Sequence, residues 1–426
     1  MKTMSTVSQK SQVYKAFIQK LNFDEEIVKI LCLSTYPVEE PMHGGQHRLR
    51  NIIDLLAEVG HEVYSVGVLG SPTYPSSPYF LEYPGRETLS SMVEYLDLME
   101  DFAISELFSK NDTFFKRLAN LIPKTPDVIY CEQPWLFSFA KKYAQKFSHT
   151  PPSLIYGSAN IEHNLKYGII NSYFGEDRAI YCSEMVRNCE VYASKNADLV
   201  FSVSKSDIIW LSEFSKREPI LAPNGVIDRI AGMTDIMAAN TITQGRQFAL
   251  YCASAHPPNM DGFFEMFGYG VGCFPPNSLM VVAGGAGQNI LHDPKFAHVG
   301  GMHKVYADAG RVSESVLRGL LATAHQIVLP ITYGGGTNLK AAEAIWAGCH
   351  VVATTKAMQG FEEFSNVRGM VISDSPEGFC AAIRENFLRP RMHLSTEERD
   401  ARRGVLWEKA LASLVGSIGG GGSRYD

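Results

Sequence analysis

The sequence predicts an α/β protein of two domains, each a mostly parallel sheet wound with helices. Three observations predict it. A chain of 426 residues suits two or three domains. Short apolar runs of strand type alternate with segments of helical period through both halves. The stretch from Ile27 to Val68 reads strand, glycine turn, helix, strand, which is a βαβ unit with a right-handed crossover. Ligands of doubly wound sheets sit outside the carboxyl ends of the strands, so the expected site is a central cleft that both sheets face.

Each element has its own justification. IVKILCLST (Ile27 to Thr35) is the first strand. Gly44 and Gly45 then precede a helical pattern through Leu49, Ile52, Ile53, Leu55 and Leu56. Gly60 ends it, and HEVYSVGV (His61 to Val68) is the second strand. Tyr74 to Gly85 reads as a proline-rich loop, and Val93 to Leu121 as mostly helical. Strands return at PDVIYCEQP (Pro126 to Pro134), SLIYGS (Ser153 to Ser158) and ADLVFSVS (Ala197 to Ser204), with a helix over Asp177 to Asn196. PILAPNGV (Pro219 to Val226) closes the first domain, 1–226. Residues 227–247 are weakly patterned and read as a connection. The second domain, 248–395, has strands at Phe248 to Ser254, Ser278 to Gly284, Gln326 to Ile331, His350 to Thr354 and Gly369 to Ser373. Thr396 to Val415 reads as one long helix with Trp407, Leu411 and Leu414 on one side. Within 396–418 it is placed to pack back on the first domain, and the glycine-rich 419–426 reads as a tail.

Composition narrows the function. A net charge of −6 gives no electrostatic footprint for nucleic acid. The eight cysteines are scattered without a CxxC pair, which suits buried thiols in a reducing compartment. The start of the chain lacks the apolar core of a signal peptide. No run reaches the ~20 apolar residues of a membrane span. SQVYKAFIQKLNF (Ser11 to Phe23) carries apolar residues at helical spacing beside Lys15 and Lys20. It either packs on the domain or lies on a membrane surface. The expected location is cytoplasmic, with peripheral contact at the inner face of the membrane under the second alternative.

The stretch TYGGGTNLKAAEAIWAGCHVVAT (Thr332 to Thr354) carries the most chemistry. Gly334, Gly335 and Gly336 free the backbone for close approach to a ligand. Thr337 or Asn338 caps the helix that follows, whose unpaired N–H groups attract an anion. Lys340 adds a full charge in the first turn, and Glu343 lies one turn further on. A nucleotide diphosphate at the helix tip would bring a ribose to Glu343. The competing reading is a packing turn with a surface pair Lys340–Glu343, worth ~0.3 kcal/mol. VVAGGAGQNI (Val281 to Ile290) is not GxGxxG, which sets a dehydrogenase aside.

Six motifs in order resemble GT-B glycosyltransferases of family 4. They are MHGGQHRLRNI, SANIEHN, PNGV, HPPNMDG, GGGTNLK with AAEAIWAG, and AMQGFEE. The second glutamate of the family motif matches Glu343, while the first falls on Gly335, as in the GGGTNLK-type branch. The resemblance implies a GT-B fold of two Rossmann-like domains. It implies a retaining hexosyl transfer from a nucleotide-diphosphate sugar to a glycan or lipid-linked glycan, within polysaccharide biosynthesis. No DxD motif stands where a metal would be held, so neither metal nor cofactor is expected. Gly44, Gly45, Gly336, Thr337, Asn338, Lys340 and Glu343 become the donor-binding residues. Lys340 would stabilise the leaving diphosphate, and Glu132, at the end of the strand DVIY, would orient or deprotonate the acceptor. His47, Arg48, Asn160, Glu162 and His163 are acceptor-side candidates. Two alternatives share the fold: a non-hydrolysing sugar-nucleotide 2-epimerase, and a non-catalytic subunit.

Overall fold

The structure is a computed structural model describing residues 27–147, 150–268, 270–297, 302–335 and 337–419. The segment Ser11 to Phe23, Gly336 and the last residues of the chain lie outside the described residues. The chain forms two compact units. The first ends at Pro223 and takes the chain up again from Leu411; the second is Asn224–Ala410.

The first unit holds seven parallel strands: β1 Lys29–Ser34, β2 Glu62–Val68, β3 Phe80–Leu81, β4 Val128–Glu132, β5 Ser153–Ser158, β6 Leu199–Ser202 and β7 Ile220–Leu221. Their order is β3-β2-β1-β4-β5-β6-β7. Central strands of a parallel sheet are covered on both faces, so they read as unbroken apolar runs. In β1 and β4 every residue from Ile30 to Leu33 and from Val128 to Cys131 is buried. The helix Gly44–Glu58 seats Leu49, Ile52, Leu55 and Leu56 in the interior. The last described helix, Ala412–Gly419, packs against the Gly44–Glu58 helix and β7. Between β5 and β6 stand two helices, Glu162–Phe174 and Glu176–Asn196, joined at Gly175 with φ +86°. The first of these is not expected from sequence: of its thirteen residues only Glu162 and Ile170 are buried, which leaves no apolar stripe to read.

The second unit holds six parallel strands: β8 Phe248–Cys252, β9 Leu279–Ala283, β10 Tyr306–Gly310, β11 Gln326–Leu329, β12 His350–Ala353 and β13 Met370–Ile372. Their order is β10-β9-β8-β11-β12-β13. Alternate residues face opposite sides. Phe248 and Leu250 join one apolar cluster, and Ala249 and Tyr251 the other. Both sheets therefore run outward from their first strand and reverse there, which is the Rossmann order.

Several expectations need correction. The proline-rich loop contains β3, a two-residue edge strand. The sequence reading also lacks β10, whose YADAG is half-exposed. The helical stretch before β4 is two helices, Glu100–Lys110 and Asp112–Ala119; Asn111 breaks it and caps the second by accepting from Thr113 and Phe114. Residues 227–247 include a helix, Met233–Thr243, which buries Asp235, Ala239 and Thr243 instead of large apolar groups. It packs so closely on the helix Glu314–Thr323 that a Cβ on Gly319 would lie 2.0 Å from the Asp235 carbonyl oxygen. The long C-terminal helix is broken. Val226 pairs with Leu406, donating to the Val405 carbonyl at 2.8 Å and accepting from the Trp407 N–H at 3.1 Å. All eight cysteines are free thiols, five of them buried. Among the described residues no helix is long and apolar enough to cross a membrane.

Candidate functional site

In a Rossmann sheet the ligand position is the point where strand order reverses. In the second unit that point lies between β8 and β11. β8 leads through Ala253 to His256 into the helix Pro257–Phe267, with proline at its first position, where no N–H is needed. β11 leads through Pro330 to Asn338 into the helix Leu339–Ala347. One hydrogen bond joins the two exits: Lys340 Nζ donates to Asn259 Oδ1 at 2.6 Å. Asn259 is held for this. Its amide donates to the Ser254 carbonyl at 2.9 Å and Ser254 Oγ at 3.2 Å, and its carbonyl accepts from Tyr251 Oη at 2.8 Å. The two exits also touch through glycine: a Cβ on Gly262 would lie 2.0 Å from the Pro330 carbonyl oxygen.

The glycine turn then enters its helix as the sequence suggests. Gly334 has φ +134°, a conformation side chains rarely adopt. Asn338 caps the helix, its Oδ1 accepting from the Lys340 N–H at 3.2 Å. Thr337 Oγ1 accepts from Asn224 Nδ2 at 2.8 Å, which ties the PNGV segment to the turn. Tyr333 donates to Asp261. Three separate motifs thus converge on one place: PNGV, HPPNMDG and the glycine turn.

The electrostatics there are unusual. Burial lowers Lys340 to about 8, against the opposing influence of Cys252 and Glu343. Burial raises Glu343 to about 7, with Lys340 opposing. His256, beside them, is lowered by burial and by Lys340. The lysine bonds a neutral amide and not Glu343. Among the described residues the ammonium at this positive helix end hydrogen-bonds only that amide, which is a setting that favours an anion.

In the first unit the order reverses between β1 and β4. Glu132 ends β4, and Arg48 projects from the helix after β1. Both are sealed, at 2% and 1% exposure, and they face each other, Nε to Oε1, at 3.3 Å. Tyr130 Oη donates to the other Glu132 oxygen at 2.6 Å, and Arg48 Nη1 donates to the Ala222 carbonyl at 2.8 Å. Gly157 makes room for this: a Cβ there would lie 2.0 Å from Tyr130 Oη and 2.9 Å from Glu132 Oε2. Burial raises the Glu132 carboxyl despite the guanidinium. One oxygen accepts a hydrogen bond and the other faces the guanidinium, so the protein itself partners this carboxyl, where the sequence reading expects it to serve an acceptor.

Gly44 and Gly45 are also placed otherwise. They are the first two residues of the helix and not a loop, with His43 before them. Gly45 answers a close approach, since a Cβ would lie 2.9 Å from Tyr36 Oη. That hydroxyl is buried, with no hydrogen-bond partner among the described residues. His47 lies half-buried in the same turn, its carbonyl accepting from Asn51 Nδ2 at 2.7 Å.

The remaining candidates gather one residue beyond Glu132. Gln133 has φ +66°, a strained position for a side chain. From it the amide donates to Glu162 Oε1 at 2.9 Å, and Asn160 Nδ2 donates to the same oxygen at 3.1 Å. Glu162 is buried and raised to about 7, by burial first and then by Glu190. Glu190, absent from the sequence reading, accepts from the backbone N–H groups of Glu162 and His163 and meets His163 Nδ1 at 2.7 Å. It lies inside a helix with no local signature. Asn259 lies within a quoted motif, but its pairing with Lys340 does not show in sequence.

No family model and no curated protein sequence matches this chain. Solved structures do. A sucrose-phosphate synthase from Thermosynechococcus elongatus is similar with TM-score 0.65 at 15% identity, covering 92% of this chain and 98% of that one. WaaG, a glycosyltransferase involved in lipopolysaccharide biosynthesis, is similar with TM-score 0.59 at 14% identity, covering 93% and 100%. Anabaena HepE in complex with UDP-glucose is similar with TM-score 0.57 at 13% identity, covering 92% and 97%. At such identities the likeness speaks for architecture: the two parallel sheets are the Rossmann-like domains of the GT-B fold.

Proposed function

We propose that this protein is a glycosyltransferase that moves a sugar from a nucleotide-diphosphate donor to a hydroxyl of a glycan or glycoconjugate. The observation that carries the reading is the Lys340–Asn259 bond across the reversal point of the second sheet, at a capped helix start. There the half-buried ammonium and the helix N–H groups meet the charge of a diphosphate, which grows as the sugar leaves. Glu343, one turn on, accepts from ribose hydroxyls. Thr337 and Asn338 line the approach. With that charge supplied by the protein, the reaction runs without a metal, and resemblance to family 4 supports retention of configuration. HepE was solved with UDP-glucose and a trehalose-phosphate synthase with glucose-6-phosphate, which supports a nucleotide-sugar donor and a sugar acceptor. On the acceptor side the reading rests on Asn160, Glu162 and His163. Arg48 and Glu132 form a buried pair, Glu132 standing one residue before Gln133, which bonds Glu162.

A thermal-shift screen with UDP, GDP, dTDP, CMP and ADP, with and without Mg²⁺, tests this. At ~100-fold excess over the dissociation constant a ligand adds about 2.7 kcal/mol of stability. One selective diphosphate, indifferent to Mg²⁺, is the expected result. Glu343→Gln weakens that shift, and Lys340→Ala lowers turnover more than binding. No shift with any nucleotide would leave the glycine turn a packing feature.

A further inference from the structure

Glu190 sits within the helix Glu176–Asn196 at 0% exposure. A buried carboxylate needs donors around it. Its donors come from the first turn of the neighbouring helix. Oε1 accepts from the Glu162 N–H at 2.6 Å, and Oε2 from the His163 N–H at 3.0 Å. The N-cap of that helix is Ile161, which has no side-chain acceptor, so Glu190 supplies the cap from outside. A cap explains two of the three bonds. It does not explain the third, between Oε2 and His163 Nδ1 at 2.7 Å.

We propose that Glu190 is a positioning residue: it holds the His163 imidazole with Nδ1–H turned inward, so that Nε2 offers a lone pair to a ligand hydroxyl. A carboxylate only accepts, so the nitrogen facing it carries the proton, and in the neutral ring the other is then the acceptor. The ring is further fixed against Trp210, centroids 4.8 Å apart. Among the described residues Nε2 has no hydrogen-bond partner, and it is not a sealed atom. Its place is the first turn after β5, at the carboxyl edge of the sheet, where ligands of this fold bind. Glu162, beside it, has one oxygen occupied by Gln133 and Asn160 and the other unbonded among the described residues. Two acceptors on consecutive residues of one helical turn suit a polyol, which carries several donating hydroxyls. Naming that polyol as the sugar acceptor rests on the glycosyltransferase reading; the tautomer does not.

The test is ¹⁵N–¹H correlation spectroscopy of the histidine rings in the full chain, with His163→Gln to assign the signal. The expected pattern has Nδ1 protonated and Nε2 bare. Glu190→Gln still offers an oxygen to the backbone N–H groups but no longer dictates the ring, so the pattern shifts toward Nε2–H. An Nε2–H ring in the wild type overturns the proposal, and so does a pattern unmoved by Glu190→Gln. With the nucleotide sugar chosen by the screen above, Glu190→Gln raises the acceptor KM about 3- to 10-fold, the worth of one oriented hydrogen bond. The nucleotide thermal shift stays unchanged, and Glu190→Asp recovers part of the loss. An unchanged KM despite an altered tautomer refutes the ligand role. If the wild type binds no nucleotide diphosphate, the glycosyltransferase reading fails while the tautomer result stands.

Discussion

Gly262→Ala is the sharpest single perturbation of the candidate donor site. The added Cβ would meet the Pro330 carbonyl oxygen at 2.0 Å, the Pro330 carbonyl carbon at 3.1 Å and the Ile331 Cα at 3.3 Å. All three are backbone atoms, so no side chain can rotate away. Relief requires the helix Pro257–Phe267 and the exit of β11 to part by about 1 Å, given ordinary contact distances. Overpacking of this kind costs about 1–3 kcal/mol. For a unit of this size that lowers Tm by about 2–4 °C per kcal/mol. The same movement acts on function, because Asn259 rides on that helix and its bond to Lys340 is 2.6 Å long. An increase of about 1 Å takes it beyond hydrogen-bond reach. The assay is thermal unfolding with and without the selected nucleotide diphosphate. The expected outcome is a lower Tm together with a smaller ligand-induced shift. Gly168→Ala is the control: it lies in a helix with nothing within 4 Å of its Cβ, so it should stabilise by about 0.5–1 kcal/mol. A Gly262→Ala protein with wild-type Tm and ligand shift would show that the two strand exits do not constrain the site.

In the first unit, Glu132→Ala leaves Arg48 buried without its carboxylate and should cost about 3–5 kcal/mol in urea unfolding; a wild-type midpoint would contradict the buried pair. Gly157→Ala drives a Cβ into Tyr130 Oη, and the double variant with Tyr130→Phe, which deletes that oxygen, should recover part of the lost stability. Strictly additive losses would refute the clash. Stability should also depend on pH with a minimum near 7–8. Glu343, raised to about 7, keeps a proton that the unfolded chain releases near 4.5, so its contribution is lost as pH rises from about 4.5 to 7. Glu162, also raised to about 7, acts in the same sense. Lys340, lowered from 10.5 to about 8, gives up its proton first in the folded state, so stability recovers between about 8 and 10.5. Unfolding across that range should show Glu343→Gln flattening part of the acid limb and Lys340→Met flattening the alkaline limb; parallel curves for wild type and both variants would sink the assignment.

What the sequence discloses follows from where the determining interactions lie along the chain. Central parallel strands announce themselves because burial on both faces demands unbroken apolar runs such as Ile30 to Leu33 and Leu279 to Ala283. Edge strand β10 escapes because half of it faces solvent, and Asp308 turns back to accept from the Gly310 N–H at 2.8 Å. The helix Met233–Thr243 escapes for the opposite reason: contact with its neighbour is so close that its fully buried residues are alanine, threonine and aspartate, and no large apolar residue is fully buried to mark the face. The site divides the same way. The glycine turn, the Asn338 cap and Lys340 are local chemistry, written within a few residues. Asn259, which fixes the lysine, is 81 positions away, and Glu190, which meets His163, is 27. Glu132 is the instructive case. A carboxylate at the end of a strand is a fair acid–base candidate on sequence, and only the structure shows its partners. Arg48 lies on a different element, and Gly157 is the absence of a side chain on a third. A polar residue at a strand end says that the fold tolerates charge there; whether that charge faces a substrate or a guanidinium depends on neighbours that no window along the chain contains.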